Sequence, residues 1–122
     1  MKILITGNRG FVGSETQKLL EAEGHQVLGY DLMDGFDICD SLQFENFVVR
    51  EKPDRILHLA AIARFGDADN DPHLAAETNI IGTKGVADIA STHHIPIVYS
   101  STGSVYMPIT DYTGTIKEDW KC

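Results

Sequence analysis

Cysteine is nearly missing from this chain. Cys39 and Cys122 are its two examples, and they stand far apart. They form no Cys-x-x-Cys and no disulfide framework, which excludes a stapled secreted scaffold and fits a reduced, cytoplasmic chain. Long hydrophobic runs are missing too: none approaches the roughly 20 apolar residues of a membrane span. The N-terminus has no charged-then-apolar leader with a small-residue cleavage site, so no signal peptide is expected. Positive charge is scarce, with 10 Lys and Arg against 18 Asp and Glu, a formal net charge of −8. That balance argues against a general nucleic-acid or anionic-membrane binder, and neither partner is expected. There is no internal repeat and no low-complexity segment. His93 and His94 are adjacent, without a Cys or acidic cluster nearby, so no metal site is expected.

What is present fits one globular domain: 122 residues, 43% hydrophobic and 23% charged. Its organising stretch is Gly7-Asn8-Arg9-Gly10-Phe11-Val12-Gly13. An almost wholly apolar run over 2–6 precedes it and a helical pattern follows, the strand–turn–helix context in which such a motif carries weight. Gly7 permits a sharp turn out of the strand. A glycine in the turn lets backbone approach a pyrophosphate, and Gly13 lets the helix pack close to the sheet. The N–H groups of the first helical turn then face the anion. The spacing is Gly-x-x-Gly-x-x-Gly rather than Gly-x-Gly-x-x-Gly, so a ligand-free glycine turn stays open as the alternative.

The first helix is expected over 11–23, with Val12, Thr16, Leu19 and Leu20 turned to the sheet and Gly24 as its stop. A second strand over 26–30 ends at Asp31, 18 residues after Gly13. In a Rossmann unit an acid there accepts hydrogen bonds from the adenosine ribose and repels a 2′-phosphate, which favours NAD over NADP. The alternative for Asp31 is a turn-starting Asp, and Arg9 pulls toward a phosphate. Residues 36–38 read as a short extended piece. Asp40 caps a helix carrying Phe44, Phe47 and Val48, with Gln43 completing a capping box, and Pro53 marks its end. A buried strand is expected over 55–61, in which His58 reads better as a satisfied sheet histidine than as a proton carrier. A loop follows over 62–70. Asp71 and Pro72 then open a long helix whose stripe is Thr78, Ile81, Gly82, Gly85 and Ile89. Asn79 sits off that stripe and needs partners if buried. A last buried strand over 95–100 leads into hydroxyl-rich Ser101-Thr102-Gly103-Ser104. This βαβ(β)αβαβ alternation gives an α/β fold: a three-layer, doubly wound parallel sheet of Rossmann type, ending after its fifth strand, with the switch point at the first.

Together these motifs resemble the extended short-chain dehydrogenase/reductase family, the NAD-dependent nucleotide-sugar epimerases and dehydratases. The resemblance covers the whole chain but the N-terminal part of such an enzyme. It implies a pyrophosphate loop at Gly7, Arg9, Gly10, Phe11, Val12 and Gly13, a ribose acid at Asp31, and an adenine-contacting pair at Asp37 and Ile38. Leu59, Ala60 and Ala61, after His58, would lie along the cofactor. Asn79 begins the family's Asn-x-x-Gly-Thr helix motif, as a cofactor-side or structural residue. Ser100 lies in the strand that leads to the catalytic hydroxyl, which falls on Thr102. The implied cofactor is NAD, with NADP second, and the implied reaction is hydride transfer between a sugar hydroxyl carbon and nicotinamide.

Two departures qualify the resemblance. Met107 stands where the family has Gly after Val-Tyr. More seriously, the family's Tyr-x-x-x-Lys is absent: Tyr112 and Lys117 are five apart, with Gly114 between them. Residues 1–122 therefore read as a partial NAD(P)-binding domain without the Tyr/Lys helix or the C-terminal substrate domain. Three functions stay open: the cofactor portion of an epimerase or dehydratase, an inactive NAD or adenine-nucleotide module, and an NADPH-dependent sugar-nucleotide reductase. The expected partners are a nucleotide-sugar substrate once the enzyme is complete, and a second copy or another chain over the open sheet edge.

Overall fold

A computed structural model of the chain describes residues 1–102 and 105–106. Tyr112, Gly114, Lys117, Met107 and the Gly103-Ser104 part of the hydroxyl run lie outside the described residues. The described elements are β1 (Lys2–Thr6), α1 (Phe11–Ala22), β2 (Gln26–Tyr30), a 3₁₀ turn (Leu32–Asp34), α2 (Ser41–Glu51), β3 (Arg55–His58), α3 (Phe65–Asn70), α4 (Pro72–Ala76), a π-helical segment (Glu77–Gly82), α5 (Thr83–Thr92) and β4 (Ile97–Tyr99). The strands form one parallel sheet in the order β2-β1-β3-β4. The order reverses direction at β1, as the alternation requires, and the sheet is of the Rossmann type.

Four strands are described, not five. Residues 36–38 stay out of the sheet because side chains take their backbone groups. Gln43 Oε1 accepts from the Asp37 N–H at 3.1 Å, and the Tyr30 hydroxyl donates to the Asp37 carbonyl at 3.2 Å. Gln43 is thereby committed, and the expected capping box is half made. Asp40 Oδ1 accepts from the Gln43 N–H at 2.9 Å, while Asp40 N–H bonds to the Asp37 carbonyl. The region expected as a loop over 62–70 contains α3. The long helix after it begins as expected, with Pro72 in its first turn and Asp71 Oδ1 accepting from the Leu74 N–H at 2.9 Å.

The core lies on the α2/α5 face. Leu4, Tyr30, Ile38, Phe44, Phe47, Val48, Ile56 and Val86 form one buried cluster. Phe36, Phe44 and Phe47 ring the Tyr30 side chain with centroids 4.9–5.2 Å away, a spacing at which aromatic edges and faces attract. Gly82 earns its place in the helix by contact: a Cβ there would stand 3.0 Å from the Ile38 side chain. Gly85 is less tightly faced, at 4.0 Å. Ile81 leaves the expected stripe and is exposed.

On the opposite face α1 is rotated by one residue from its expected stripe. Val12 and Leu19 are exposed, Gly13 is buried, and Thr16, Gln17 and Leu20 are half-buried. The cause is local. A Cβ on Gly13 would fall 2.1 Å from the Gly7 carbonyl oxygen, so the residue nearest the sheet has to be the one with no side chain. Gly24 closes α1 at φ 82°, as expected. The last strand is shorter and more open than its apolar sequence suggests: Ile97 is half-buried, and Val98 and Tyr99 are exposed.

Phe44 is fully buried in the cluster. Phe44→Ala should cost about 3–5 kcal/mol of unfolding free energy, as a large aromatic cavity does. Urea denaturation followed by circular dichroism measures it; a loss below about 1 kcal/mol would show that the cluster is not the core.

Candidate nucleotide-binding cleft

The carboxyl ends of β1, β2 and β3 open into one cleft of about 380 Å³. Open α/β sheets bind ligands at this position, outside the strand ends at the switch point. Gly7, Arg9, Gly10, Asp31, Asp37, Ile38, Leu59, Ala60 and Ala61 all line it. Residues separated by up to 54 positions in sequence thus meet, as the motifs require. Phe11, Val12, Gly13, Asn79, Ser100 and Thr102 are not among its lining residues, although the resemblance implied a cofactor role for the first five and a catalytic one for Thr102.

The glycine turn is built for close approach. Gly7 has φ 75°, a left-handed conformation that side chains rarely adopt, and a Cβ there would stand 2.8 Å from the Ala60 nitrogen. Its N–H bonds to the Tyr30 carbonyl at 2.9 Å, which anchors the turn to β2. No side chain caps the N-terminus of α1. The first N–H groups of a helix have no intrahelical partners and carry the positive end of its dipole. Phe11 and Val12, in this first turn, are exposed. Such a terminus accepts an anion.

Asp31 lines the cleft just past the end of β2. Its Oδ2 accepts from the Arg9 N–H at 2.9 Å and its Oδ1 from the Met33 N–H at 3.0 Å. Each carboxylate oxygen keeps acceptor capacity beyond one bond, so the group still has room for ribose hydroxyls. The Arg9 guanidinium reaches Asp34 through Nε to Oδ2 at 2.9 Å and Nη2 to Oδ1 at 2.7 Å. Asp34 raises the Arg9 pKa, and Arg9 lowers that of Asp34, in each case chiefly through these hydrogen bonds. The lining also includes apolar Leu32, Met33, Ile38 and Leu74. Leu32, Met33, Leu74, Glu77 and Thr78 are lining residues that sequence reasoning missed. Leu74 and Thr78 carried a signal: four apart on a helix, they share a face.

Two polar residues hold the cleft without lining it. Asn79 Oδ1 accepts from the Ile62 N–H at 2.8 Å, and its Nδ2 donates to the Ile62 carbonyl at 3.0 Å. Of the two roles open to Asn79, the geometry shows the structural one: it clamps the chain after β3. The second is His58, buried with both nitrogens engaged. The Thr6 hydroxyl accepts from the Leu59 and Ala60 N–H groups at 3.2 and 3.3 Å. Its own hydrogen is left to donate to His58 Nδ1, 2.6 Å away. Nε2 therefore carries the ring proton and donates to Thr83 Oγ1 at 2.9 Å. Burial pushes the His58 pKa down to about 4. The expected satisfied histidine is what the structure contains. His93 contacts Glu45 at 3.2 Å, and no metal-holding cluster occurs among the described residues.

Sheet order, glycine turn and acid at the end of β2 define a Rossmann-type nucleotide-binding domain. Comparison with known proteins makes the assignment narrower. Residues 1–117 match the family described as RmlD substrate binding domain. The chain belongs to the extended short-chain dehydrogenase/reductase family of nucleotide-sugar epimerases and dehydratases. It is 32% identical over 118 residues to a UDP-glucose 4-epimerase of Rhizobium meliloti, with 85% of this chain and 36% of that protein covered. It is also similar to the solved UDP-glucose 4-epimerase of Thermus thermophilus in complex with NAD (TM-score 0.88, 26% identity, 99% of this chain and 44% of that one). A third relative is the dTDP-4-dehydrorhamnose reductase of Bacillus anthracis in complex with NADP (TM-score 0.78, 30% identity, 86% and 37% covered). The chain thus spans 36–44% of the length of these relatives.

Stability should report the state of His58. Its folded pKa lies below the unfolded value of about 6.5, so between these values the unfolded chain binds the extra proton and stability falls as pH falls. In His58→Gln this contribution is absent. The variant should be less stable at pH 7, and its deficit should narrow as pH drops from about 6.5 toward about 4. Paired urea melts across that range check it, and a constant deficit would contradict it.

Proposed function

We propose that this chain is the NAD-binding portion of a nucleotide-sugar epimerase or dehydratase. The convergence of the Gly7–Gly10 turn and Asp31 on one cleft carries the reading. The cleft suits a dinucleotide in its parts: an uncapped helix terminus for the pyrophosphate, a carboxylate with spare acceptor capacity for the ribose, and an apolar wall for a flat base. Asp37, Ile38 and residues 59–61 line the same cleft as Asp31, and the family resemblance implies that the first two meet the adenine and the last three lie along the cofactor. When bound, the nicotinamide supplies hydride acceptance and return. The chain's own residues bind and orient. Thr102 is the proposed hydroxyl for the substrate, as the family resemblance implies.

The relatives supply the substrate class, UDP- and dTDP-linked sugars. The absence of Tyr-x-x-x-Lys favours a second reading for residues 1–122 on their own: binding without turnover. Asp31 favours NAD over NADP by withholding room and charge from a 2′-phosphate. We expect the chain to work in the cytoplasm, beside soluble sugar nucleotides, with its open sheet edge covered by a second copy or another chain.

Isothermal titration of the chain with NAD, NADP and ADP tests the reading. NAD should bind more tightly than NADP, and Asp31→Ala should weaken NAD by about tenfold, the worth of hydrogen bonds to a charged group. UDP-glucose with NAD should give no turnover. Failure of NAD and ADP to bind would overturn the assignment, and turnover by these residues alone would overturn the division of labour.

A further inference from the structure

At the edge of the cleft Arg9 meets two carboxylates, Asp31, which lines it, and Asp34, which does not. Arg9 stands in the glycine turn and lines the cleft beside Asp31. Its backbone N–H is bonded to Asp31, yet its guanidinium is turned onto Asp34 in a two-bond fork, with an ion-pair distance of 2.7 Å. A planar guanidinium engaged by both oxygens of one carboxylate is held in orientation as well as in charge. Asp34 is itself fixed. Its N–H bonds to the Asp31 carbonyl at 2.9 Å, and Gly35, at φ 83°, ends the 3₁₀ turn with its N–H on the Leu32 carbonyl. The turn therefore sets Asp34 at a constant offset from Asp31.

We propose that Asp34 is a cofactor-selecting residue: by holding the Arg9 guanidinium it keeps a latent 2′-phosphate site closed. This rests on the reading of the cleft as an adenosine site. Arginine is the side chain best suited to grip a phosphate, through parallel N–H donors. A chain that carries one in its pyrophosphate turn is one step from accepting a 2′-phosphorylated adenosine. Asp34 removes that step twice over. It occupies the fork, and it adds a negative charge near a group that would carry almost two. Arg9, Asp31 and Asp34 together carry one net negative charge; without Asp34 the remaining pair carries none. Asp31 excludes the phosphate by repulsion, and Asp34 excludes it by capturing its natural partner.

The exposure of both side chains, 56% for Arg9 and 33% for Asp34, sets the scale. A solvated ion pair is weak, so the lock is light and one substitution should open it. The test is isothermal titration of four full chains, wild type, Asp34→Ala, Asp34→Asn and Asp34→Ala/Arg9→Gln, with ADP and 2′,5′-ADP. Asp34→Ala should raise affinity for 2′,5′-ADP relative to ADP by about tenfold at low salt, and the Arg9 change should cancel the gain. Asp34→Asn, which preserves shape, should shift the ratio in the same direction by less. An unchanged ratio in both single variants, or a gain that survives loss of Arg9, overturns the proposal while leaving the adenosine site standing. Wild type that binds no ADP overturns the adenosine site and this proposal with it.

Discussion

The hydroxyl of Thr6 is the contact on which the rest of the site depends. It sits fully buried at the end of β1, one residue before the glycine turn. Two backbone N–H groups, from Leu59 and Ala60, point at its oxygen, and its hydrogen goes to His58 Nδ1. His58 passes the connection to Thr83, at the start of α5. One hydroxyl thus ties β1, the chain leaving β3 and the long helix together at the level where ligand would lie. A buried polar group must be satisfied or costs stability, so this arrangement specifies its own geometry. The protonated imidazole cannot replace the neutral one there. Nδ1 would become a donor facing a hydroxyl that already has two donors on its oxygen. Burial keeps the imidazole neutral, and this arrangement matches the neutral form and holds residues 59–60 against Gly7.

That hub explains how much of the site was legible in the sequence. Gly7 and Asp31 were readable because each solves a backbone problem that few residue types solve: a left-handed turn for Gly7, and an acceptor placed at a strand's end for Asp31. His58 was readable as a satisfied core group, but not its partners, since Thr6 and Thr83 lie 52 and 25 residues away from it. The face of α1 was misread for a related reason. Hydrophobic periodicity picks Val12 and Leu19, but closeness to the sheet is decided by the 2.1 Å that a Gly13 Cβ would leave to the Gly7 carbonyl. Sterics at one residue overruled a pattern over four. Residues 36–38 failed as a strand because Gln43, from the next helix, supplied the hydrogen bond that a neighbouring strand would have made.

The two faces of the sheet are unequally finished. Leu4 and Ile56 point into the large cluster on the α2/α5 side. Their neighbours Ile3, Ile5 and Leu57 point the other way, where α1 packs on β1 and β2. Val98, paired in register with Leu57, is 63% exposed. The apolar run at 95–100 reads as a strand covered on both faces, and the described residues cover it on one. The same asymmetry runs through α1, whose Val12 and Leu19 lie open. Sequence and structure agree here at different levels: the residues are chosen for a covered position, and the described residues do not supply the cover.

The titratable groups around the cleft divide binding from chemistry. Among the described residues Tyr30 is the tyrosine that lines it, but its hydroxyl meets the Asp37 carbonyl and Gln43 Oε1, and burial, followed by the charges of Asp40 and Asp37, pushes its pKa upward. A base needs the opposite shift. Burial and the nearby Asp37 likewise push the Cys39 thiol up, away from a reactive thiolate. His58 is unprotonated at neutral pH, yet both of its nitrogens are committed inside the hub. Arg9 cannot give up its proton. Among these groups none is poised to accept a proton, whereas the glycine turn, Asp31 and residues 59–61 converge on one cleft. The buried polar groups of this stretch position backbone: Thr6 fixes the chain leaving β3, and Asn79 clamps Ile62.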